Sequence, residues 1–222
     1  MKKIVLSLIA ISIVLLATLA TPTEATFDTR RDVEMYGSLW DNPAGAYELR
    51  HQGIYGETYI SRQDTNGTIY KEFVAIHDWT LQQWYFLYVT WMSVGYYHYK
   101  GNTPLQFVRW RTSEYDLIHQ RSKGYISYDR YQNYQVNMAG VYWQAWIGGQ
   151  KVEQIYLPLD EAAIMSEMSS TQNVGDLYGY WRYMKEYHNG QWTYWDWQTP
   201  SYNFDVVVYI INQHTWGCYN SL

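Results

Sequence analysis

VYWQAWIGGQKVEQIYLPL, residues Val141 to Leu159, is the stretch that decides the fold. β-Branched and aromatic residues flank the Gly148-Gly149 pair, and two adjacent glycines supply the positive φ that a tight hairpin turn needs. The stretch therefore predicts two antiparallel strands. Downstream, QWTYWDW (Gln191 to Trp197) holds four large aromatic side chains in seven residues and follows a second turn signal at Asn189-Gly190. Rings at this density either fill a core or stand on a surface that grips something flat.

Strand patterns recur outward from these two stretches. GIYGETYI (Gly53 to Ile60) and Ile69 to His77 read as strands, with Asn66-Gly67 between them as a hairpin turn. Gln83 to Tyr99 is apolar on both parities, as expected of central strands covered on both sides. Leu105 to Arg111 alternates Phe107 and Arg109 against Val108 and Trp110, and Tyr125 to Val136 supplies a further strand or two. Leu159 to Met168 fits a helix capped by Asp160 and fits a strand equally well. Tyr178 to Met184 and Gln191 to Trp197 form a hairpin pair around His188-Asn189-Gly190. Phe204 to Asn212, with consecutive β-branched residues, predicts a strand near a sheet centre. Strands spaced ten to fifteen residues apart, each followed by Gly, Asn or Pro, predict an all-β antiparallel sandwich or barrel.

The N-terminus reads differently. Met1-Lys2-Lys3 followed by the apolar run Ile4 to Ala20 has the layout of a secretory signal, with Thr23-Glu24-Ala25 as the cleavage site; an uncleaved anchor is the alternative. The expected organisation is a signal at 1–25, an N-terminal arm with a first edge strand at 26–52, and a β-sandwich domain at 53–222. The mature chain is expected outside the cell and off the membrane once the signal is cut.

Composition narrows the function classes. Removing Lys2, Lys3 and Glu24 from 16 basic and 21 acidic side chains leaves 14 and 20, an acidic balance with no basic patch, which excludes nucleic acid as the expected partner. The lone cysteine, Cys218, rules out a disulfide framework. The six histidines are scattered without metal-ligand spacing, so neither metal nor cofactor is expected.

GIYGETYI, WYFLYVTW, YQVNMAGVYWQAWIGG, AIMSEM and WTYWDW, in that order, resemble secreted proteins of the concanavalin A-like type, over Gly53 to Asn212. The resemblance implies a jelly-roll of two curved antiparallel sheets, with a concave face that often handles polysaccharide. The early Tyr-Gly strand, the WMSVGYYHY segment and the late Trp-rich strand are also similar to neprosin-type glutamic peptidases, whose paired cysteines and glutamate-bearing motifs this chain lacks.

Two chemistries follow. A pyranose presents an apolar C–H face that stacks on indole or phenol rings while amides and carboxylates meet its hydroxyls. Trp192, Trp195 and Trp197 with Asp196, together with Trp143 and Trp146, supply that mixture, and binding of an extracellular polysaccharide or other polymer is the first expectation. The second is a hydrolase, which needs a carboxylate pair. No E-x-D-x-x-E occurs; the acids set among strand residues are Glu57, Glu72, Glu153, Glu167 and Asp196, and Glu57 with Glu167 is the pair expected of a glutamic-type site. A subunit of a surface assembly, joined through an exposed strand edge, is the third.

Overall fold

The computed structural model describes residues 32–37, 51–62, 67–82, 85–99, 102–113, 115–158, 161–170, 178–196, 198–202 and 206–220. The expected signal at 1–25 and Asn66 of the expected Asn66-Gly67 turn lie outside them.

The fifteen described strands are β1 (Asp32–Gly37), β2 (Gly53–Ile60), β3 (Thr68–Gln82), β4 (Tyr85–Tyr99), β5 (Leu105–Arg111), β6 (His119–Tyr125), β7 (Arg130–Ala139), β8 (Tyr142–Ile147), β9 (Gln150–Tyr156), β10 (Ala163–Ser170), β11 (Tyr178–His188), β12 (Gln191–Tyr194), β13 (Gln198–Tyr202), β14 (Val206–Asn212) and β15 (Thr215–Asn220). They form two antiparallel sheets, ordered β13-β1-β10-β3-β4-β5-β6 and β14-β15-β11-β2-β7-β8-β9, with β12 paired to β11. The all-β jelly-roll sandwich of concanavalin A-like type is the fold.

Turn chemistry placed the local hairpins correctly. Gly148 and Gly149 adopt φ of 61° and 78° between β8 and β9, and Asn189 and Gly190 adopt 49° and 79° between β11 and β12. Four readings are corrected. β2 and β3 lie in different sheets, so the segment containing Asn66-Gly67 is a crossover and not a hairpin. Of the two readings left open for Leu159 to Met168, the strand holds in the described part, where Ala163 begins β10. β14, expected at a sheet centre, is the edge of the eight-stranded sheet, while β1, expected at an edge, is flanked by β10 and β13. The polar stretch after β5 and the Cys218 tail are strands, β6 and β15; β6 is exposed at nearly every position, which hides it from a hydrophobic pattern.

The core between the sheets follows from alternation. The seven-stranded sheet contributes Val33, Met35, Ile69, Phe73, Met92, Val94, Tyr96, Val108, Ile164 and Met168; the other contributes Ile54, Tyr134, Val136, Trp143, Ala145, Trp181, Met184 and Trp216. Phe73 stacks on Tyr134 at 5.7 Å, Trp181 lies flat on Trp216 at 4.0 Å, and Trp216 Nε1 donates to Ser166 Oγ across the sandwich at 3.0 Å. One cation breaks the apolar run. Lys71, on the inward side of β3, is fully buried, donates to Ser61 Oγ at 3.3 Å and sits near the Tyr96 and Trp181 rings, at 5.6 and 5.9 Å.

Candidate functional site

The same alternation that turns Ile69, Lys71 and Phe73 inward turns Tyr70, Glu72 and Val74 to the outer face of the seven-stranded sheet. There they are joined by Trp91, Ser93 and Tyr97 of β4, Phe107 and Arg109 of β5, and Met165 and Glu167 of β10. Val74, Trp91, Phe107 and Met165 are buried without belonging to the inter-sheet core, so this face carries an apolar layer of its own.

Polar groups sit within that layer. Register places Glu167 directly opposite Glu72, and Glu72 opposite Gly95; on the far side, Glu34 of β1 is the register partner of Glu167. Residues directly opposite in an antiparallel pair have Cβ atoms about 4.5–5.5 Å apart, so Glu167 and Glu72 are immediate neighbours. Glu72 is 1 % exposed. Its Oε2 accepts from Ser93 Oγ at 2.5 Å and from Arg109 Nε at 3.1 Å, and its Oε1 accepts from Arg109 Nη2.

Arg109 reaches Glu72 from two strands away, passing over β4. A side chain at Gly95 has no room on that path, since its Cβ would lie 1.9 Å from the Lys71 carbonyl oxygen. The guanidinium also lies over the rings of Tyr70 (5.0 Å), Phe107 (5.2 Å) and Trp91 (5.6 Å). Such a group is fixed by two kinds of contact, charge-assisted hydrogen bonding and cation–π attraction. Its Nη1 makes no hydrogen bond among the described residues. Chemically, Glu72 is an occupied acceptor whose oxygens are both engaged, and Glu167 beside it is partly exposed.

The residues expected from sequence are distributed differently. Glu57 stands on the outer face of the eight-stranded sheet, where Arg182 Nε and Nη2 each meet its Oε2 at 2.9 Å. Glu57 and Glu167 thus lie on opposite sides of the sandwich and do not form a pair. Their strands belong to different sheets, and each points away from the core. Trp143 is fully buried and Trp195 is 1 % exposed, so neither presents a ring to a ligand; both fill the core. Trp197 lies outside the described residues, and Asp196 is exposed beside it in sequence. Trp146 and Trp192 are partly exposed, Trp192 packing edge-on against Tyr55 at 6.3 Å and tilted on Tyr187 at 5.0 Å. Sequence reasoning missed the partnership of Glu72 with Arg109. The available signal was one acid and one base among apolar neighbours, Glu72 before Phe73, Val74 and Ala75, and Arg109 between Val108 and Trp110. Among the described residues no three His, Cys, Asp or Glu side chains gather as metal ligands would.

No protein-family model matches the sequence, and no curated relative matches it. Solved structures do resemble it in fold. A Scytalido-glutamic peptidase bound to a peptide-based transition-state analogue superposes with a TM-score of 0.57 at 10% identity, over 88% of this chain and 99% of that one. The β-glucanase of Bacillus licheniformis gives 0.42 at 10% identity over 86% and 75%, and the endo-1,3-β-glucanase (laminarinase) domain of Thermotoga petrophila gives 0.41 at 6% identity over 85% and 74%. At these identities the likeness is one of fold.

Proposed function

We propose that the chain is an exported hydrolase that cleaves polypeptide laid across the outer face of the seven-stranded sheet, with Glu167 as its acid–base group. The observation that carries this reading is the register pairing of Glu167 with a second glutamate whose oxygens are already bound. Glycoside hydrolysis needs two carboxyl groups that both reach the scissile bond. Of the facing carboxyls of Glu72 and Glu167, Glu72 is enclosed with both oxygens engaged and Glu167 is partly exposed, and a single general base activating water suits attack on an amide carbonyl. Glu167 takes the proton of the attacking water and returns it to the leaving amine as the C–N bond breaks. Arg109, held by Glu72 and by three rings, offers its remaining N–H groups to the carbonyl oxygen as negative charge develops there. The fold shared with a glutamic peptidase supports this choice.

The test is incubation of the protein with a denatured protein and, separately, with lichenan and laminarin, with products resolved by mass spectrometry and reducing-end assay. Peptide cleavage abolished by Glu167→Gln is expected. Cleavage that survives this substitution, or cleavage of the glucans alone, would overturn the assignment.

A second reading, glycan binding, is favoured by the outer face of the eight-stranded sheet. Tyr131, Tyr183 and Tyr194 are 37, 43 and 50 % exposed there, beside the partly exposed Trp192. Arg182 lies 3.3 Å from the centre of the Tyr131 ring, and Lys185 lies over Tyr55 and Tyr194 at 5.4 and 4.8 Å. Retention on insoluble polysaccharide, lost in Trp192→Ala, is the measurement that separates the two readings.

A further inference from the structure

The two sheets end in four strands, β13 and β6 in one and β14 and β9 in the other. An edge strand presents unpaired N–H and C=O groups to which another strand can add, and proteins blunt such edges with charge, proline or short length. Three of the four are blunted. β13 carries Pro200, which removes a donor from its ladder. β6 and β9 are laced to each other: Arg121 Nη1 donates to both Glu153 oxygens at 3.0 Å, and Lys123 Nζ donates to Glu153 Oε2 at 2.9 Å and to the Val152 carbonyl at 2.8 Å. β12, off these paths, is only four residues long.

β14 has none of these devices. Its seven residues, Val206–Asn212, include no proline and no charge, and from Val206 to Leu222 the sequence holds no Asp, Glu, Lys or Arg. Among the described residues it pairs with β15 alone, in regular register from Val206 to Ile210, and the one irregularity falls at its far end, between Ile210 and Asn212. Ile210 and Ile211 are 49 and 56 % exposed. The Tyr209 ring lies back over Gly217 of β15, where a Cβ would stand 2.3 Å from it, so the largest side chain of the strand leans away from the free edge.

We infer that β14 joins the β14 of a second copy of this chain, antiparallel and about a two-fold axis, so that two eight-stranded sheets run on as one. The chain carries a formal net charge of −5, so two copies repel at most approaches, and an edge free of charge is where they meet without opposed like charges. A copy also brings a matching strand. With the axis at Val208, Val206 meets Ile210 and Val207 meets Tyr209, cross-strand pairs of β-branched and aromatic side chains that stabilise antiparallel ladders. The contact uses the same patch twice and therefore closes at two copies. One strand pair is a small interface, so the dimer is expected to dissociate on dilution. A two-fold axis normal to the sheet turns the outer faces of both eight-stranded sheets, with their exposed tyrosines, to one side. The inference is independent of Glu167.

The experiment is sedimentation velocity of the purified protein over a dilution series, with hydrogen–deuterium exchange read at both ends of the series. Twice the chain mass is expected at high concentration, falling to the single-chain mass on dilution, and the amides of residues 206–212 should exchange more slowly in the dimer. Ile210→Lys and Ile211→Lys, both at exposed positions, place a charge at the edge and should each leave a monomer at concentrations where the native chain is paired, with circular dichroism unchanged. Ile118→Lys, 60 % exposed in the connection between β5 and β6, and Glu167→Gln should dimerise as the native chain does. A monomer throughout, a dimer indifferent to both edge lysines, exchange at 206–212 that ignores concentration, or open-ended assemblies in place of a dimer would each overturn the inference.

Discussion

Replacing Lys71 by methionine is expected to stabilise the protein, and to do so by an amount that depends on pH. Lys71 lies inside the sandwich with one neutral hydroxyl and two ring faces near its ammonium, and burial lowers it from 10.5 to about 7. Between those values the unfolded chain binds a proton that the folded chain does not, so stability rises with pH across the window and is lowest at and below about 7. At about 1.36 kcal/mol per unit, the folded state is penalised by roughly 4 kcal/mol at pH 7 and roughly 2 kcal/mol at pH 9. Methionine fills a similar volume without a charge, and replacing a buried ion by an apolar side chain is often stabilising. Urea unfolding of the two proteins at pH 7 and pH 9 should show the variant ahead at both, with a gap that narrows by roughly 2 kcal/mol at the higher pH. A gap that is absent at pH 7, or equal at the two pH values, would refute a neutral-state preference at Lys71.

Glu72→Gln should lower stability by about 3–5 kcal/mol, the usual cost of removing one partner from a buried ion pair, and calorimetry on the variant measures it; a loss below 1 kcal/mol contradicts the Arg109 anchor. Trp195→Ala should cost about 3–5 kcal/mol while Trp192→Ala costs under about 1.5, read from parallel unfolding curves, because the first indole is enclosed and the second is not. Asp116 accepts from the Thr112 hydroxyl at 2.6 Å and contacts His119 at 3.0 Å, and these hydrogen bonds lower its carboxyl to about 2. Its stabilising contribution is therefore present above the ordinary value of 3.8 and lost as pH falls through 2; a carboxyl NMR titration with a midpoint near 3.8 would exclude this. Cys218 is fully buried, and burial pushes its thiol up to about 12, so a thiol reagent at pH 8 should label it only after unfolding.

Much of the candidate site was visible in pieces. Glu167 and Glu72 stood out as carboxylates among strand residues, and the alternation of Phe107 and Arg109 against Val108 and Trp110 put the arginine on one face of β5. Their association was not visible, because ninety-five residues separate Glu72 from Glu167 and no local pattern says which strands lie side by side. The aromatic readings divide in the same way. Trp143 and Trp146, three residues apart on β8, point to opposite sides, but which side is core depends on the sheet stacked against β8.

The sequence alone determined the all-β class and the hairpins at Gly148-Gly149 and Asn189-Gly190, because these rest on the φ preferences of single residues and on a repeat of two. Tertiary structure alone decided that β2 and β3 part company, that β14 is an edge and β10 a strand, and that Glu57 and Glu167 face opposite ways while Arg109 crosses β4 to Glu72. Strand order and sheet membership come from pairing between distant segments, whose total burial selects one arrangement from many that share the same alternation.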